Sequence, residues 1–550
     1  MKRNRQNPGR VNLSIGGLLW PFAALIFMLL VYAPLNVYLS NANDFSFDTL
    51  DVLKFMLPLA AAAFLFCALI CLLISKAGRK LYSVTAVLAV TALAACFLQG
   101  NFFSSWLPTL DGSVIDWSAF GLQRFVSLAL WLLPLAISFA VLMKFGDDRL
   151  AKLSSISGKT LFAYLALTLF LTMISSPYLA KDKKGISITY DYALDVSDDE
   201  NLFILLLDCV DVNYYEQAAE EFPEISDVFD DFTFYRNTLS AYNLTSHSVP
   251  FILSGIWNYN DQPYDQWLLQ TVEESPLFAY LRENEYRIGL YDDTVGYVPE
   301  AYDYFENVRG AEGFVSPTGF CSMLVHLVGF RYAPFDLKPA FFTTPENIYY
   351  NSLKGEDLEN AYTWENSSFY DKLISEDLSV GSEKCFRFIH LKGGHGTFDY
   401  DVDFNFRPGQ VSNIECIAGA VKMTGLYLDK LKEAGVYDNS VILVMADHGS
   451  NWISEANRAN PILFIKGIDE HHEQSVSDAP IHYEDLQPAF LKLLDGAEGG
   501  NIFPWKEGDE RIRVYLTVDD DVTLSENIQT GYASDDSTFV DTGEKYLLYS

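Results

Sequence analysis

Positive charge is scarce in this 550-residue sequence: 38 Lys and Arg stand against 72 Asp and Glu, for a net charge of −34. The shortage is uneven. Residues 1–177 hold 13 basic and 7 acidic residues, which leaves 65 acidic against 25 basic in the other 373. A surface of that sign repels phosphodiester backbones, so the C-terminal part is not expected to bind nucleic acid, and its acidity serves solubility. Cysteine is also sparse. Of the seven, Cys67, Cys71 and Cys96 fall in apolar stretches as packing residues. Cys209, Cys321, Cys385 and Cys416 are spaced in no readable disulfide framework; pairing among them stays open, and Cys209 reads equally well as a buried free thiol. No internal repeat is found in the C-terminal part.

Apolar sequence, by contrast, is plentiful. Five runs, at roughly 15–39, 53–75, 81–98, 123–143 and 160–178, each approach the ~20 residues that a membrane helix needs. The first is not a simple cleaved signal, because four more follow it. Basic residues cluster at Lys2, Arg3 and Arg5, at Lys76, Arg79 and Lys80, and at Lys144, Arg149, Lys152 and Lys159. The alternate loops carry Asp44, Asp48 and Asp51, then Asp111 and Asp116. By the positive-inside rule the N-terminus is cytoplasmic, and five crossings put everything after about residue 180 outside. Lys181, Lys183 and Lys184 run against the rule but are too few to reverse it. The expected division is a membrane domain over 1–178, a linker over 179–199 and an external domain over 200–550.

The external part reads as α/β. Asn201 to Leu207 is continuously apolar after its first residue and ends at Asp208, the pattern of a central parallel strand. Similar runs are Tyr286–Tyr291, Cys385–Leu391, Val441–Met445 and Ile462–Ile465. Helical spacing appears in Ser275–Asn284, Ile414–Ala434 and Asp485–Leu494. Strands alternating with helices predict a mainly parallel sheet, with added strands after about residue 505.

Strand ends on one edge of such a sheet lie close together whatever their separation in sequence. Asp208, Asp447 and His448 all sit at strand ends, and carboxylate with imidazole suits one divalent metal such as zinc or manganese. Thr245 follows Asp208 by 37 residues, in Asn243-Leu244-Thr245-Ser246-His247-Ser248-Val249-Pro250. A hydroxyl beside a divalent cation can lose its proton and attack an electrophile, so Thr245 is a candidate nucleophile and metal neighbour; a helix cap is the alternative reading.

These residues carry a resemblance. The external part resembles the sulfatase-like branch of the alkaline phosphatase superfamily. The whole layout is similar to lipid A phosphoethanolamine transferases and lipoteichoic acid synthases, which also have five spans before an external catalytic domain. Thr245 with Ser248-Val249-Pro250 matches the Thr-x-x-Ser-Val-Pro pattern around the transferases' nucleophilic Thr. Asp447-His448-Gly449 matches their later metal pair, Asp208 their first metal acid, and Gly393-Gly394-His395-Gly396 their Gly-x-His-Gly segment. The chain departs from the sulfatases proper, whose Cys/Ser-x-Pro-x-Arg setting is absent around Thr245, and from the transferases, whose later His and whose disulfides near the Thr are missing.

The resemblance implies a metal-dependent membrane phosphotransferase of the bacterial plasma membrane. It would move a phospholipid headgroup, phosphoethanolamine or phosphoglycerol, through Thr245 to a cell-surface glycan or lipid. A membrane-anchored hydrolase of sulfate or phosphate esters and a non-catalytic binding protein are the alternatives. His395, in its Gly-rich loop, is expected to protonate a leaving alkoxide. His247, Lys392 and Arg458 are candidates for substrate contact. His390 is read as a structural hydrogen-bonding residue, and Asp292 and Asp293 as either a polar turn or ligands of a second metal or a substrate amine. Aromatic pairs such as Trp257 with Tyr259 and Phe398 with Tyr400 suit sugar stacking or packing.

Overall fold

Apolar sequence in the N-terminal part becomes four long helices: α1 (Gly16–Ser40), α2 (Thr49–Ala77), α3 (Arg79–Phe102) and α4 (Gly121–Ser175). The computed structural model describes residues 14–40, 49–107, 115, 117–176, 185–294, 303–311, 316–343, 360–450, 454–519 and 523–547. Lys2, Arg3, Arg5, Asp44, Asp48, Asp111, Asp116, Lys181, Lys183 and Lys184 lie outside the described residues. The chain divides into two units, residues 1–185 with 312–358, and residues 186–311 with 359–550.

In the first unit, α4 is 55 residues long, far more than one bilayer crossing requires. At Gly146 its backbone leaves the helical region (φ 78, ψ 175), a conformation open to glycine. The contacts show that the chain reverses there. Ser83, early in α3, donates a hydrogen bond to Asp147 beside the bend. Near the other end of α3, Gln99 accepts from Ser127 of the first arm at 2.8 Å, and Phe97 meets Tyr164 of the second arm with ring centroids 5.9 Å apart. Both arms therefore lie along α3, and the four helices make five passes, as the sequence predicts.

One segment departs from the expected division. Residues 312–358 belong to the first unit and not to the external domain. Helix Pro317–Tyr332 and the 3-10 turn Phe335–Phe341 form a strap. Its Phe320, Met323, Leu324, Val328 and Tyr332 share a buried core with Met28, Leu35, Met56 and Leu93 of the spans. The strap is held at four span ends. Phe320 packs on Phe55 with ring centroids 5.3 Å apart, Arg331 Nε donates to Gly100 O at 2.8 Å, Arg331 Nη1 to Asn36 Oδ1 at 2.9 Å, and Phe335 N–H to Ser127 Oγ at 2.9 Å. The physical reason is composition: residues 317–343 carry one acid, Asp336, in an otherwise acidic C-terminal part.

The second unit is built on seven strands: β1 (Asn201–Leu207), β2 (Thr233–Tyr235), β3 (Arg287–Tyr291), β4 (Cys385–Leu391), β5 (Ser440–Met445), β6 (Leu463–Lys466) and β7 (Ser475–Ser477), in the order β7-β2-β6-β5-β1-β4-β3. Four successive strands, β5-β1-β4-β3, are parallel, with β3 at the edge. β6 runs antiparallel to both β5 and β2. Every residue of β1, β4 and β5 is buried, as expected of strands covered on both faces. Helix α5 (Thr245–Ser254) and helix α6 (Asn413–Glu433) belong to this unit. The strands expected after residue 505 form a separate antiparallel sheet of Arg513–Asp519, Thr523–Gln529 and Phe539–Leu547.

Candidate active site

Register alone brings the two key acids together. Met445 of β5 pairs with Leu206 of β1. Two residues further along each strand come Asp447 and Asp208, side by side at the carboxyl edge of the sheet. Asp208, Asp447 and His448 are all buried, and their ligand atoms lie within 4.8 Å of one another. Ser248 Oγ donates to the Asp447 carbonyl at 2.6 Å, and Tyr483 donates its hydroxyl proton to the Ala446 carbonyl, which fixes the backbone beneath the pair.

Thr245 is the first residue of α5. Leu244 holds the cap position and makes no side-chain cap bond, so capping is not the role of Thr245. Its Oγ1 instead lies 3.3 Å from His448 Nε2. The other ring nitrogen, His448 Nδ1, donates to Gly449 O at 2.8 Å. That tautomer leaves the Nε2 lone pair facing Thr245 and Asp447, whose Oδ2 is 3.3 Å away.

The buried polar atoms test whether a cation suits this place. Asp208 Oδ1 and Asp447 Oδ2 are buried and make no hydrogen bond. Two buried carboxylate oxygens without donors are costly unless a positive charge satisfies them. Together with an imidazole lone pair they form a donor set that fits one divalent metal. Burial, and then the neighbouring Asp208 charge, push the Asp447 carboxyl above its ordinary range. Burial acts the same way on Asp208, but the neighbouring cationic His390 outweighs it and holds Asp208 low.

His390 sits behind Asp208. Because β3 lies beside β4, with Tyr291 paired to Ile389, Asp292 meets His390. His390 Nδ1 is 2.8 Å from Asp292 Oδ2, and Nε2 is 3.5 Å from Asp208 Oδ2. Burial alone would lower the His390 pKa, but the two carboxylates raise it well above the usual value, so it is a cationic brace between them. The hydrogen-bonding role expected of His390 holds, and its partner is Asp292. Asp293 is exposed; it is grouped with Asp292 and His390 within metal-ligand reach of one another.

The Gly-rich loop lies directly on Asp208. Gly394 N–H donates to Asp208 O at 2.8 Å. Gly393 has φ +54, and a Cβ there would fall 2.5 Å from Leu207 C and 2.6 Å from Asp208 N and O. Gly393→Ala is therefore expected to cost about 3 kcal/mol and to weaken metal binding by moving Asp208; thermal unfolding with and without metal checks both. The loop carries His395 to the site, within metal-ligand reach of Asp208 and Cys209. His395 Nδ1 donates to Gly396 O at 2.6 Å, and the ring stands 4.9 Å from that of Trp364. Cys209, with φ +59, is buried, and its Sγ is 3.8 Å from His448 Nδ1. Among the described residues all seven cysteines are free thiols.

The three expected substrate contacts fare differently. His247 is buried among the rings of Tyr242, Tyr264 and Trp267. Burial lowers its pKa to about 4, so the ring is neutral among them, with Nδ1 3.1 Å from Ser246 Oγ. His247→Ala is expected to lower the melting temperature and leave metal affinity unchanged, as calorimetry and metal titration will show. Lys392 is committed to Glu365, with Nζ 2.9 and 3.2 Å from the carboxylate oxygens. Arg458 Nε donates to Asn243 O at 3.0 Å, and its positive charge lies close enough to act on the Cys209 thiol, so it stays near the acids. Trp364, Glu365 and Asn366 were not legible as site residues. Asn366 holds both the N–H (2.9 Å) and the carbonyl (3.2 Å) of Gly393, a role no local pattern announces.

Comparison with known proteins gives one family match: the sulfatase family model covers residues 200–496. No curated protein matches the sequence. Solved structures to which the chain is similar include the integral membrane lipooligosaccharide phosphoethanolamine transferase A from Neisseria meningitidis, at 13% identity and TM-score 0.31, covering 88% of this chain and 95% of that one. A protein in the alkaline phosphatase superfamily from Vibrio parahaemolyticus is 11% identical with TM-score 0.38, over 65% of this chain and 84% of that one. A phosphonate monoester hydrolase from Silicibacter pomeroyi is 14% identical with TM-score 0.34, over 61% and 88%.

Proposed function

This chain belongs to the sulfatase family, and on that premise we propose that it is a membrane phosphotransferase whose Thr245 carries the transferred group. The observation that supports this most is the contact of Thr245 Oγ1 with His448 Nε2, 3.3 Å, beside two buried carboxylate oxygens, Asp208 Oδ1 and Asp447 Oδ2, that lack donors. Asp208, Asp447 and His448 would hold the divalent cation. When bound, it would lower the pKa of a neighbouring hydroxyl and offset phosphate charge.

Thr245 supplies the nucleophilic oxygen. Its hydroxyl proton passes to solvent as Oγ1 bonds to phosphorus in a phospholipid headgroup and the bond from phosphorus to the glyceryl oxygen breaks. The leaving oxygen of diacylglycerol takes a proton from His395, whose Nδ1 is occupied by Gly396 O, leaving Nε2 for this transfer. An acceptor hydroxyl on a cell-surface glycan or lipid then attacks the same phosphorus and gives its proton to His395, while Thr245 Oγ1 departs and regains a proton from solvent. The place of Thr245 at the start of a ten-residue helix favours phosphate there, since helix N-termini attract anions. The headgroup is phosphoethanolamine or phosphoglycerol, and the spans keep the reaction at the outer face of the plasma membrane, near its lipid donor.

The test is product analysis with purified protein, divalent metal and phospholipids labelled in the headgroup. Diacylglycerol released only with lipid donors, with label on an added acceptor, supports transfer. Label released as a free ester product, with equal turnover of soluble esters, supports the hydrolase instead.

A further inference from the structure

The strap leaves the catalytic chain after β3, packs with the spans and returns before β4. We propose that its outer side rests in the external leaflet, so that a lipid bilayer is the partner of this surface and the catalytic sequence is tied to the membrane a second time. Position is the first argument. The strap touches the ends of four passes on one side of the bundle, through Asn36, Phe55, Gly100 and Ser127, where acyl chains give way to headgroups. Span residues at that level are apolar and open, including Phe102 and Phe125, each 69% exposed, so the surface is continuous with one that faces lipid.

Charge is the second argument. No charged residue occurs from Pro317 to Phe330. The three that follow all have partners within the unit, the exposed Asp336 among them. Arg331 is bound to Gly100 and Asn36, Asp336 pairs with Arg124 at 2.6 Å, and Lys338 is buried with its ammonium on the Phe330 and Arg331 carbonyls at the helix C-terminus. The large apolar side chains that remain outward are Val325, 40% exposed, and Leu337, 55%. Beneath this surface Trp117 packs on Phe330 and Phe335, both buried.

Spin labels decide the matter in the full-length protein reconstituted into phosphatidylethanolamine and phosphatidylglycerol vesicles. Labels are placed through V325C, L337C and, as a control in the catalytic unit, I374C, where Ile374 is 59% exposed. The background carries C67S and C321S, which remove the two partly exposed native thiols. The expected result is that oxygen collides with the labels at 325 and 337 more often than a water-soluble nickel chelate does, with the reverse at 374. Two results overturn the proposal: chelate collisions at 325 and 337 equal to those at 374, which means water, or protection from both reagents, which means a protein cover.

Discussion

Thr245→Ala lowers headgroup transfer by about four orders of magnitude or more, the scale expected when a nucleophile is removed from an otherwise intact site, while the protein still binds its metal. The second half of that outcome matters as much as the first. Asp208, Asp447 and His448 hold their positions through β1 and β5, not through Thr245, so the cation site is expected to survive the substitution. Thr245→Ser keeps an oxygen at the same place and is expected to retain part of the activity. Metal analysis alongside a radiolabelled transfer assay separates loss of the nucleophile from loss of the cation. If alanine at 245 leaves transfer within a few-fold of wild type, the hydroxyl has no covalent part.

Asp447→Asn is expected to move activity and stability in opposite directions. The substitution removes one of the three cation-holding groups, so metal affinity falls by at least about 100-fold and activity goes with it. The metal-free protein, however, gains about 1–3 kcal/mol, because a buried carboxylate beside Asp208 is replaced by a neutral amide of the same shape. The amide oxygen can still accept the Cys209 N–H, 3.4 Å from Asp447 Oδ1. The sign with pH follows. The folded-state pKa of Asp447 lies above its unfolded value, so its contribution to metal-free stability is fully present below the ordinary carboxylate range and is lost as pH rises through the raised value. The D447N protein lacks that decline. Asp208, held low by His390, acts oppositely, its contribution being lost as pH falls through its depressed pKa. Denaturation of chelated samples across pH, wild type against variant, reads all of this; a metal-free variant less stable than wild type at neutral pH would count against a cation site.

How much of this was legible before folding depends on the range of the interaction. Asp208, Asp447 and His448 announce themselves because an unbroken apolar strand ending in an acid is a local pattern, and parallel register does the rest. Thr245 is legible through its spacing to Ser248 and Pro250, and the structure gives Ser248 a reason to be there, since its hydroxyl holds the Asp447 carbonyl. His390 and Asp292 were each visible, but their pairing depends on β3 lying beside β4, which follows from sheet order and not from sequence distance. His247 and Lys392 show the converse. Each is polar and near a motif, yet one is enclosed by aromatic rings and the other is neutralised by Glu365, 27 residues away. The strap escaped notice because one apolar helix of 16 residues reads equally well as the core of an external domain. Only its packing on Phe55 and Gly100 assigns it to the spans.

The most direct measurement is peptide mass spectrometry across Thr245 after incubating the purified, metal-loaded protein with mixed phospholipids and no acceptor. The account predicts a phosphoethanolamine or phosphoglycerol adduct on Thr245, lost when an acceptor is added, and the mass of the adduct names the donor. An unmodified Thr245 in protein that releases diacylglycerol from those lipids would contradict it.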